Sequence, residues 1–557
     1  MENSKTGKNI TTSNETRSAW LMSGLFGILS GIFFVFGYQL ERFDNVNFKD
    51  SGTYAFILCI AVILTIDVRY VWKSYDSARA GKKLFGLIEL KGRESAAGDK
   101  RFILKTWAVL AALNTVVILA EYPGFFVYDA QDELNEVLTR SFSTHHPLLH
   151  VLLLGGIIAL VHKLTGSWNA GIFTYTFLQM LVITFVLAYV IDYMRKKGIG
   201  KRSVVLWTVY YGVFPVIVMY NLCSSKDGLF TALLLYITLS LIKLTEDKEA
   251  FLKSRSLVVS FVISAVLMPL FRHNGFYAYL VFLPFTFIYF RKEITKKLVL
   301  MLVIPVVCYL AINTALSAVL STKGTDHQEM LTVPIMQMAR VYTYEKDSMS
   351  PEDIRTLEAY IPVDNLEMYT PRVSDMVKYG FNNELYEQNS KDFKDLWIKL
   401  FLKHPATYFN AWFLTSYGYW FPPALINVYK GTTVFTFTYT DSSYFGYEVE
   451  QPGERHSLIP VIDSFYRYIS IGSFHKDAPV LALLFSPGLC MLIYLFVVLY
   501  RLSKGKFDRV LPYMPIILNW LTVLLGPTYL VRYVAILWYA LPLLFAPKAE
   551  RVGGESV

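Results

Sequence analysis

Cysteine is scarce: the 557 residues hold four, Cys59, Cys223, Cys308 and Cys490. Each lies in or at the end of an apolar run and no two form a C-x-x-C pair, which excludes a disulfide framework and a zinc–thiolate site. Phosphate-cradling glycine patterns are missing too. There is no G-x-x-x-x-G-K-[ST], and no G-x-G-x-x-G in a strand-to-helix setting, so nucleotide binding has no signature. Charged residues make up only 17% of the chain. No repeat relates the two halves, which counts against common transporter architectures. Finally, no A-x-A-like cleavage site follows the first apolar run (20–40), which is too long for a signal-peptide core. It reads as a retained anchor behind a polar tail, residues 1–18.

What the chain has in excess is apolar length. It is 54% hydrophobic and 16% aromatic, with a mean hydropathy of +0.38. Runs of about 16 to 24 apolar residues recur, each able to cross a ~30 Å hydrocarbon core. These features predict an all-α polytopic membrane protein of about twelve transmembrane helices. The net charge of +9 needs no nucleic-acid partner, because lysines and arginines gather in short loops between runs, the positive-inside pattern. Read this way, both termini are cytoplasmic in a multi-pass protein of the cell membrane.

The expected order is a two-span N-terminal segment with a basic cytoplasmic loop (19–101), a membrane core (102–320), an extracytoplasmic lobe (321–478) and C-terminal spans with a tail (479–557). In the basic loop, KKLFGLIELKG (82–92) reads as an interfacial helix. In the lobe, Ser350-Pro351-Glu352-Asp353 has the form of a capped helix start. KDFKDLWIKLFLKH spaces its apolar residues helically. TTVFTFTYT and the following DSSYFGYEVE read as a hairpin, so a smaller α+β lobe is expected. The short apolar segment 147–162 is settled by parity: were it to cross, the basic loop DYMRKKGIGKR would lie outside. It therefore lies along or dips into the outer leaflet.

This topology delivers residues 121–168 to the outside, beginning EYPGFFVYDAQDELNEVLTRSFSTHHPLLH. Carboxylates so close to hydrocarbon are costly and mark function, so Asp129, Asp132 and Glu133 are the candidate catalytic acids. Other polar residues converge at the outer ends of spans: His145 and His146, Lys226 and Asp227, Arg272, His273 and Asn274, and Arg532 with Tyr533. Gln337 and Arg340, one helical turn apart in PIMQMAR, are further substrate-binding candidates.

The outer face of a cell membrane lacks nucleotides, so a transferase there draws its activated group from the membrane. A sugar on a polyprenyl phosphate fits. A carboxylate takes the proton of an acceptor hydroxyl as it attacks the anomeric carbon. Cations hold the charge of the departing phosphate. No cofactor is required; a divalent cation on Asp129, Asp132 and Glu133 is the less favoured reading, and no metal site is assigned.

These residues also resemble a family. YDAQDEL, HHPLLH, the turn RKKGIGKR, NLCSSKD and the Arg532-Tyr533 pair are similar to features of the GT-C superfamily of polyprenyl-phosphate-sugar transferases, which includes protein O-mannosyltransferases and the aminoarabinose transferase of lipid A. The whole chain, with SSKD, FRHNG, PIMQMAR and YTPRVSDMVK, resembles bacterial GT-C-like membrane proteins of Gram-positive organisms taken to act in cell-envelope polysaccharide assembly. The resemblance implies a GT-C-like fold, a polyprenyl-phosphate-sugar donor, a glycan, lipid or protein acceptor of the cell envelope, and Asp129 as base. The mannosyltransferases carry an adjacent Asp-Glu pair, here Asp132-Glu133, three residues after Asp129. A polysaccharide polymerase or ligase and a lipid-linked glycan flippase are the rival readings.

Overall fold

The computed structural model describes residues 2–79, 100–324, 326–424, 449–470 and 472–546. Among these the chain is helical, with isolated bridges and no strand. The membrane part opens with α1 (Glu2–Phe43) and α2 (Ser51–Arg79), a hairpin. Gly27 and Gly31, four residues apart, let the two backbones meet: a Cβ at Gly27 would stand 2.3 Å from the Ala61 carbonyl oxygen, and one at Gly31 2.7 Å from that of Ile57. Small residues at this spacing are how lipid-exposed helices approach closely.

Next come α3 (Lys100–Ala120), α4 (Ala130–Thr139), α5 (Leu148–Thr165) and α6 (Trp168–Lys196). After them α7 (Lys201–Val213) and α8 (Pro215–Asn221) meet at a 54° bend. Pro215 sits at the break, where its ring and missing N–H end the first helix. The core continues with α9 (Lys226–Glu246), the short α10 (Lys248–Lys253), α11 (Arg255–Phe271), α12 (His273–Tyr289) and α13 (Lys296–Val319). Among the described residues seven helices are long and apolar enough to cross a membrane, namely α1, α2, α3, α5, α6, α9 and α13, or nine if α7 with α8 and the bent pair 479–485 with 487–503 each count as one. The 17-residue α11 and α12 reach only about 25 Å at 1.5 Å per residue. Beyond residue 510 the described chain breaks into pieces of ten residues or fewer, such as Met514–Val523 and Leu541–Leu544, where Pro512, Pro515, Pro527 and Pro542 interrupt it.

The ends of α5 bear on the parity argument. His150, in its first turn, bonds Glu133 of the acidic loop. Just past its last turn, Asn169 donates to the Glu454 carbonyl at 2.7 Å, and the same stretch of chain pairs with the end of α3 through Leu458 N–H to the Leu119 carbonyl at 3.0 Å. Both ends of α5 are thus tied to residues 119–133 and their neighbours, while its 18 apolar residues are long enough to cross a membrane. The basic turn after α6 is on the opposite side, where Lys197 pairs with Glu246 at the end of α9 at 2.7 Å.

Within the region expected as a lobe, residues 331–408 have a core of their own around Ile335, Met338, Leu357, Phe393 and Leu400. The Ser350 cap is present: its hydroxyl accepts from Asp353 N–H while the Asp353 carboxylate accepts from Ser350 N–H, opening the helix Pro351–Tyr360. Ser350→Ala should cost about 1 kcal/mol. The measurement is hydrogen exchange, which should quicken in 351–360 and leave the core of α9 unchanged. Of Phe393, Trp397, Leu400 and Phe401, which the spacing puts on one face, the helix Ser390–Lys403 buries Phe393 and Leu400, part-buries Trp397 and leaves Phe401 exposed, while Leu396 is buried instead. The expected hairpin falls almost wholly on 425–448, and the interfacial helix 82–92 on 80–99, both outside the described residues; the described part of the lobe has helices, turns and one isolated bridge but no strand.

Candidate active site

Two short backbone pairings position the site. Phe125 N–H donates to the Leu222 carbonyl at 3.0 Å, and Ser224 N–H to the Phe125 carbonyl at 2.9 Å. They fasten the acidic loop to the chain entering α9, four residues before Asp129 and two before Lys226. The turn that permits this needs Gly124: its φ is +118° and a Cβ there would stand 2.9 Å from Thr176. Tyr128 takes a left-handed φ of +65°, a conformation held in place by burial and by Arg532, whose guanidinium lies 4.2 Å from its ring centre.

Asp129, at the start of α4, and Lys226, the first residue of α9, meet at 2.8 Å. Lys226 Nζ also donates to His146 Nδ1 at 3.3 Å and stands 3.7 Å from Glu133. Arg532 approaches the same Asp129 oxygen at 3.4 Å and Asp227 at 3.9 Å. Arg272, from the end of α11, pairs with Asp227. Tyr533 joins the two arginines: its hydroxyl accepts from Arg532 at 3.0 Å, and Arg272 packs over its ring at 4.3 Å. Loop, helix start, helix end and C-terminal segment thus contribute three cations and three carboxylates to one cluster. Arg532 Nε and Asp227 Oδ2 are both buried and close no hydrogen bond with a described residue.

The electrostatics separate the three candidate acids. Burial pushes the Asp129 carboxyl up, but Arg532 and then Lys226 more than reverse it and hold the group well below the carboxylate range. Glu133 is likewise pulled below its usual value against burial, first by His150. Asp132 is exposed and is raised, by partial burial and then by the charge of Asp129. His146 is driven down to about 4 by burial and by Lys226, so it is a neutral acceptor for the ammonium.

Glu133 belongs to a buried relay that includes His150, Tyr175 and Gln179. The Gln179 amide donates to the carbonyls of Asn221 and Cys223 at 3.2 and 2.7 Å, so its oxygen accepts from Tyr175 at 2.9 Å. Tyr175 must then accept from His150 Nε2 at 2.7 Å. The proton between His150 Nδ1 and Glu133 locks that carboxylate in place. Glu133 therefore orients Lys226 and is poorly placed to act as a base.

Asp129, Glu133 and His146 offer ligand atoms within 4.8 Å of one another, the nearest approach to a metal site among the described residues. The sequence points to Asp132 as the third ligand, yet Asp132 lies outside this group. The Lys226 ammonium stands among all three and already supplies the positive charge there.

Of the remaining sequence candidates, His145 is exposed and packs edge-on against His146. His273 bonds the Tyr309 hydroxyl at 3.0 Å, and Asn274 follows it in the first turn of α12. Gln337 and Arg340 are not brought to the cluster. Gln337 accepts from Trp397 at 2.8 Å and donates to the Tyr408 carbonyl at 3.3 Å. Arg340 donates to the Asp44 carbonyl at 2.6 Å and to Tyr369 at 3.3 Å. Their helix turns this face toward Trp397, Tyr408 and the turn after α1, away from the cluster that the other candidates form.

Two groups at the site went unread in the sequence. His150 sits in an apolar run, where the i, i+4 spacing from His146 was the available signal. Glu450 is 1% exposed, and its N–H donates to the Phe126 carbonyl at 2.8 Å. Burial first, then the charges of Asp129 and Asp132, push its carboxyl up to about 10. Nothing local in DSSYFGYEVE marks it.

No curated protein and no solved structure is a significant match to the chain. A family model, described as a family of unknown function (DUF6020), matches residues 137–546. The match covers Lys226, Asp227, Arg272 and Arg532 and begins just after the acidic triplet. Because it takes in well over half of the sequence, the chain belongs to the DUF6020 family.

Proposed function

We propose that the protein is a membrane glycosyltransferase that moves a sugar from a polyprenyl-phosphate donor to a cell-envelope acceptor on the outer face of the bacterial cytoplasmic membrane. In this reading α11, α12 and the C-terminal pieces complete about twelve crossings of a GT-C-like core. The observation that carries it is the meeting at the N-terminus of α9 of Lys226 and Arg532 with Asp129 and of Arg272 with Asp227. Three cations at a helix N-terminus suit a phosphate. The carboxylate beside them suits a proton acceptor.

The resting cluster is balanced, and this sets the order of events. While Lys226 and Arg532 hold Asp129, it is a weak base. A donor phosphate that takes up those two cations releases the carboxylate and restores its basicity. The acceptor hydroxyl then loses its proton to Asp129 as its oxygen bonds to the anomeric carbon. The anomeric carbon–oxygen bond to phosphate breaks, its electron pair leaves with the phosphate, and the configuration inverts. Donor therefore binds before acceptor.

The test is transfer by purified protein in membranes, with a labelled polyprenyl-phosphate sugar and crude envelope acceptors. Asp129→Asn should lose about 10²- to 10⁴-fold in rate, the usual worth of a positioned base, while donor binding persists. Equal rates would move the role to Asp132, whose carboxyl is raised and free of a cation partner in hydrogen-bond range among the described residues. No consumption of any such donor by wild type would favour a flippase.

A further inference from the structure

Residues 449–458 run along the acidic loop in the opposite direction. Besides the Glu450 bond to Phe126, His456 N–H donates to the Tyr122 carbonyl at 2.9 Å and Leu458 N–H to the Leu119 carbonyl at 3.0 Å. Arg455 makes a buried pair with Glu121 at 2.6 Å. Asn169 exchanges two bonds with the Glu454 backbone, at 2.7 and 2.9 Å. Val449 packs on Phe126, Ala130 and Leu134. The strap is thus fixed by its backbone and by the side chains around Glu450. Neither of its carboxyl oxygens closes a hydrogen bond with a described residue.

A buried carboxyl with so little compensation among the described residues costs stability, and such groups are retained where a ligand completes them. The charged groups that face Glu450 are Asp129 and Asp132 of the acidic loop and Arg532 of the C-terminal segment, with the Gln131 N–H at the start of α4. Burial of Glu450 and the charges of Asp129 and Asp132 both favour its neutral form. Of the three, Glu450 is the most deeply buried, and an ionised form there has the least compensation. A neutral carboxylic acid offers one donor and one acceptor. The carboxylates beside it repel a phosphate but accept from a hydroxyl. That combination matches a neutral polyol better than an anion.

We infer that Glu450 is a sugar-recognising residue: its protonated carboxyl hydrogen-bonds a hydroxyl of the transferred sugar, while the Lys226, Arg272 and Arg532 cluster holds the phosphate. The inference rests on the transferase reading for the identity of the ligand. It divides the site in two, a cationic part for the donor's phosphate and an acid-lined part for its sugar.

The experiment compares binding of a polyprenyl-phosphate glucose and of the same polyprenyl phosphate without sugar, in nanodiscs at neutral pH. The proteins are wild type, Glu450→Gln and Glu450→Ala, together with their infrared spectra. Wild type should bind the sugar-bearing lipid more tightly. Glu450→Ala should lose about tenfold of that preference, the worth of one buried hydrogen bond, and Glu450→Gln should keep most of it. Binding of the sugar-free lipid should be the same in all three. Wild type should also show a protonated-carboxyl stretch that Glu450→Gln lacks and that shifts with the sugar-bearing lipid only. If both lipids bind but the sugar preference survives in Glu450→Ala, or no such band is lost in Glu450→Gln, the role of Glu450 is overturned and the phosphate site stands. If wild type binds neither lipid, the transferase reading falls and takes the sugar role with it.

Discussion

Lys226→Met is expected to destabilise the protein by about 3 kcal/mol at neutral pH, the lower end of the usual cost of removing one partner of a buried ion pair. Lys226 is the cation shared by Asp129, Glu133 and His146, at 2.8, 3.7 and 3.3 Å. Methionine fills most of its volume but leaves two carboxylates close together, with Arg532 and His150 as their remaining partners. The pH dependence fixes the sign. Asp129 and Glu133 have depressed values in the folded protein. They therefore contribute stability above the ordinary carboxyl range, and lose it as pH falls through their folded values. Without Lys226 those values rise, so the deficit of the variant should be largest near neutrality and shrink toward pH 4. Melting of the purified protein in nanodiscs across that range measures it. The double variant Lys226→Met with Asp129→Asn should recover part of the loss, because the two residues are in contact and their effects do not add. A single variant that melts with wild type at pH 7 would show that the ammonium is not the charge that holds the loop.

The parts of the site legible in the sequence are those governed by the cost of charge in hydrocarbon. Lys226, Arg272 and Arg532 were findable because an ionisable residue at the edge of an apolar run has few places to go, and parity placed all three on one side. The helices of the core were legible for the same reason. The Ser350 cap was legible because capping is local chemistry. Gln337 and Arg340 show the limit: their spacing on one helix face was right, but which neighbour that face meets is a tertiary fact, and it meets Trp397, Tyr408 and the α1 hairpin. Likewise, ranking Asp129, Asp132 and Glu133 required their partners. Glu133 is committed to His150, 17 residues away, and Asp129 to Arg532, 403 residues away. Periodicity does not report contacts of that range.

Glu450 carries the second large effect, and its sign is opposite to that of the Lys226 carboxylates. Its folded value is raised to about 10, so between the ordinary carboxyl range and that value the folded protein holds a proton the unfolded chain releases. Its contribution to stability is present below the ordinary carboxyl value and is lost as pH rises toward 10. One group in that window gives a slope of about 1.4 kcal/mol per pH unit. Glu450→Gln has no proton to lose. Between pH 6 and pH 9 wild type should therefore decline relative to Glu450→Gln by about 4 kcal/mol, whatever the constant cost of burying the amide. Thermal melting of both proteins at each pH, read as the difference between them, removes the contribution of every other titrating group that the substitution leaves alone. Parallel curves would mean that Glu450 is ionised in the fold, and the strap would then have to bring it a cation. A widening gap would mean that the protein keeps an acid neutral beside Asp129, at the expense of its own stability under alkaline conditions. Such a cost is retained at functional sites, where a ligand rather than the fold satisfies the group.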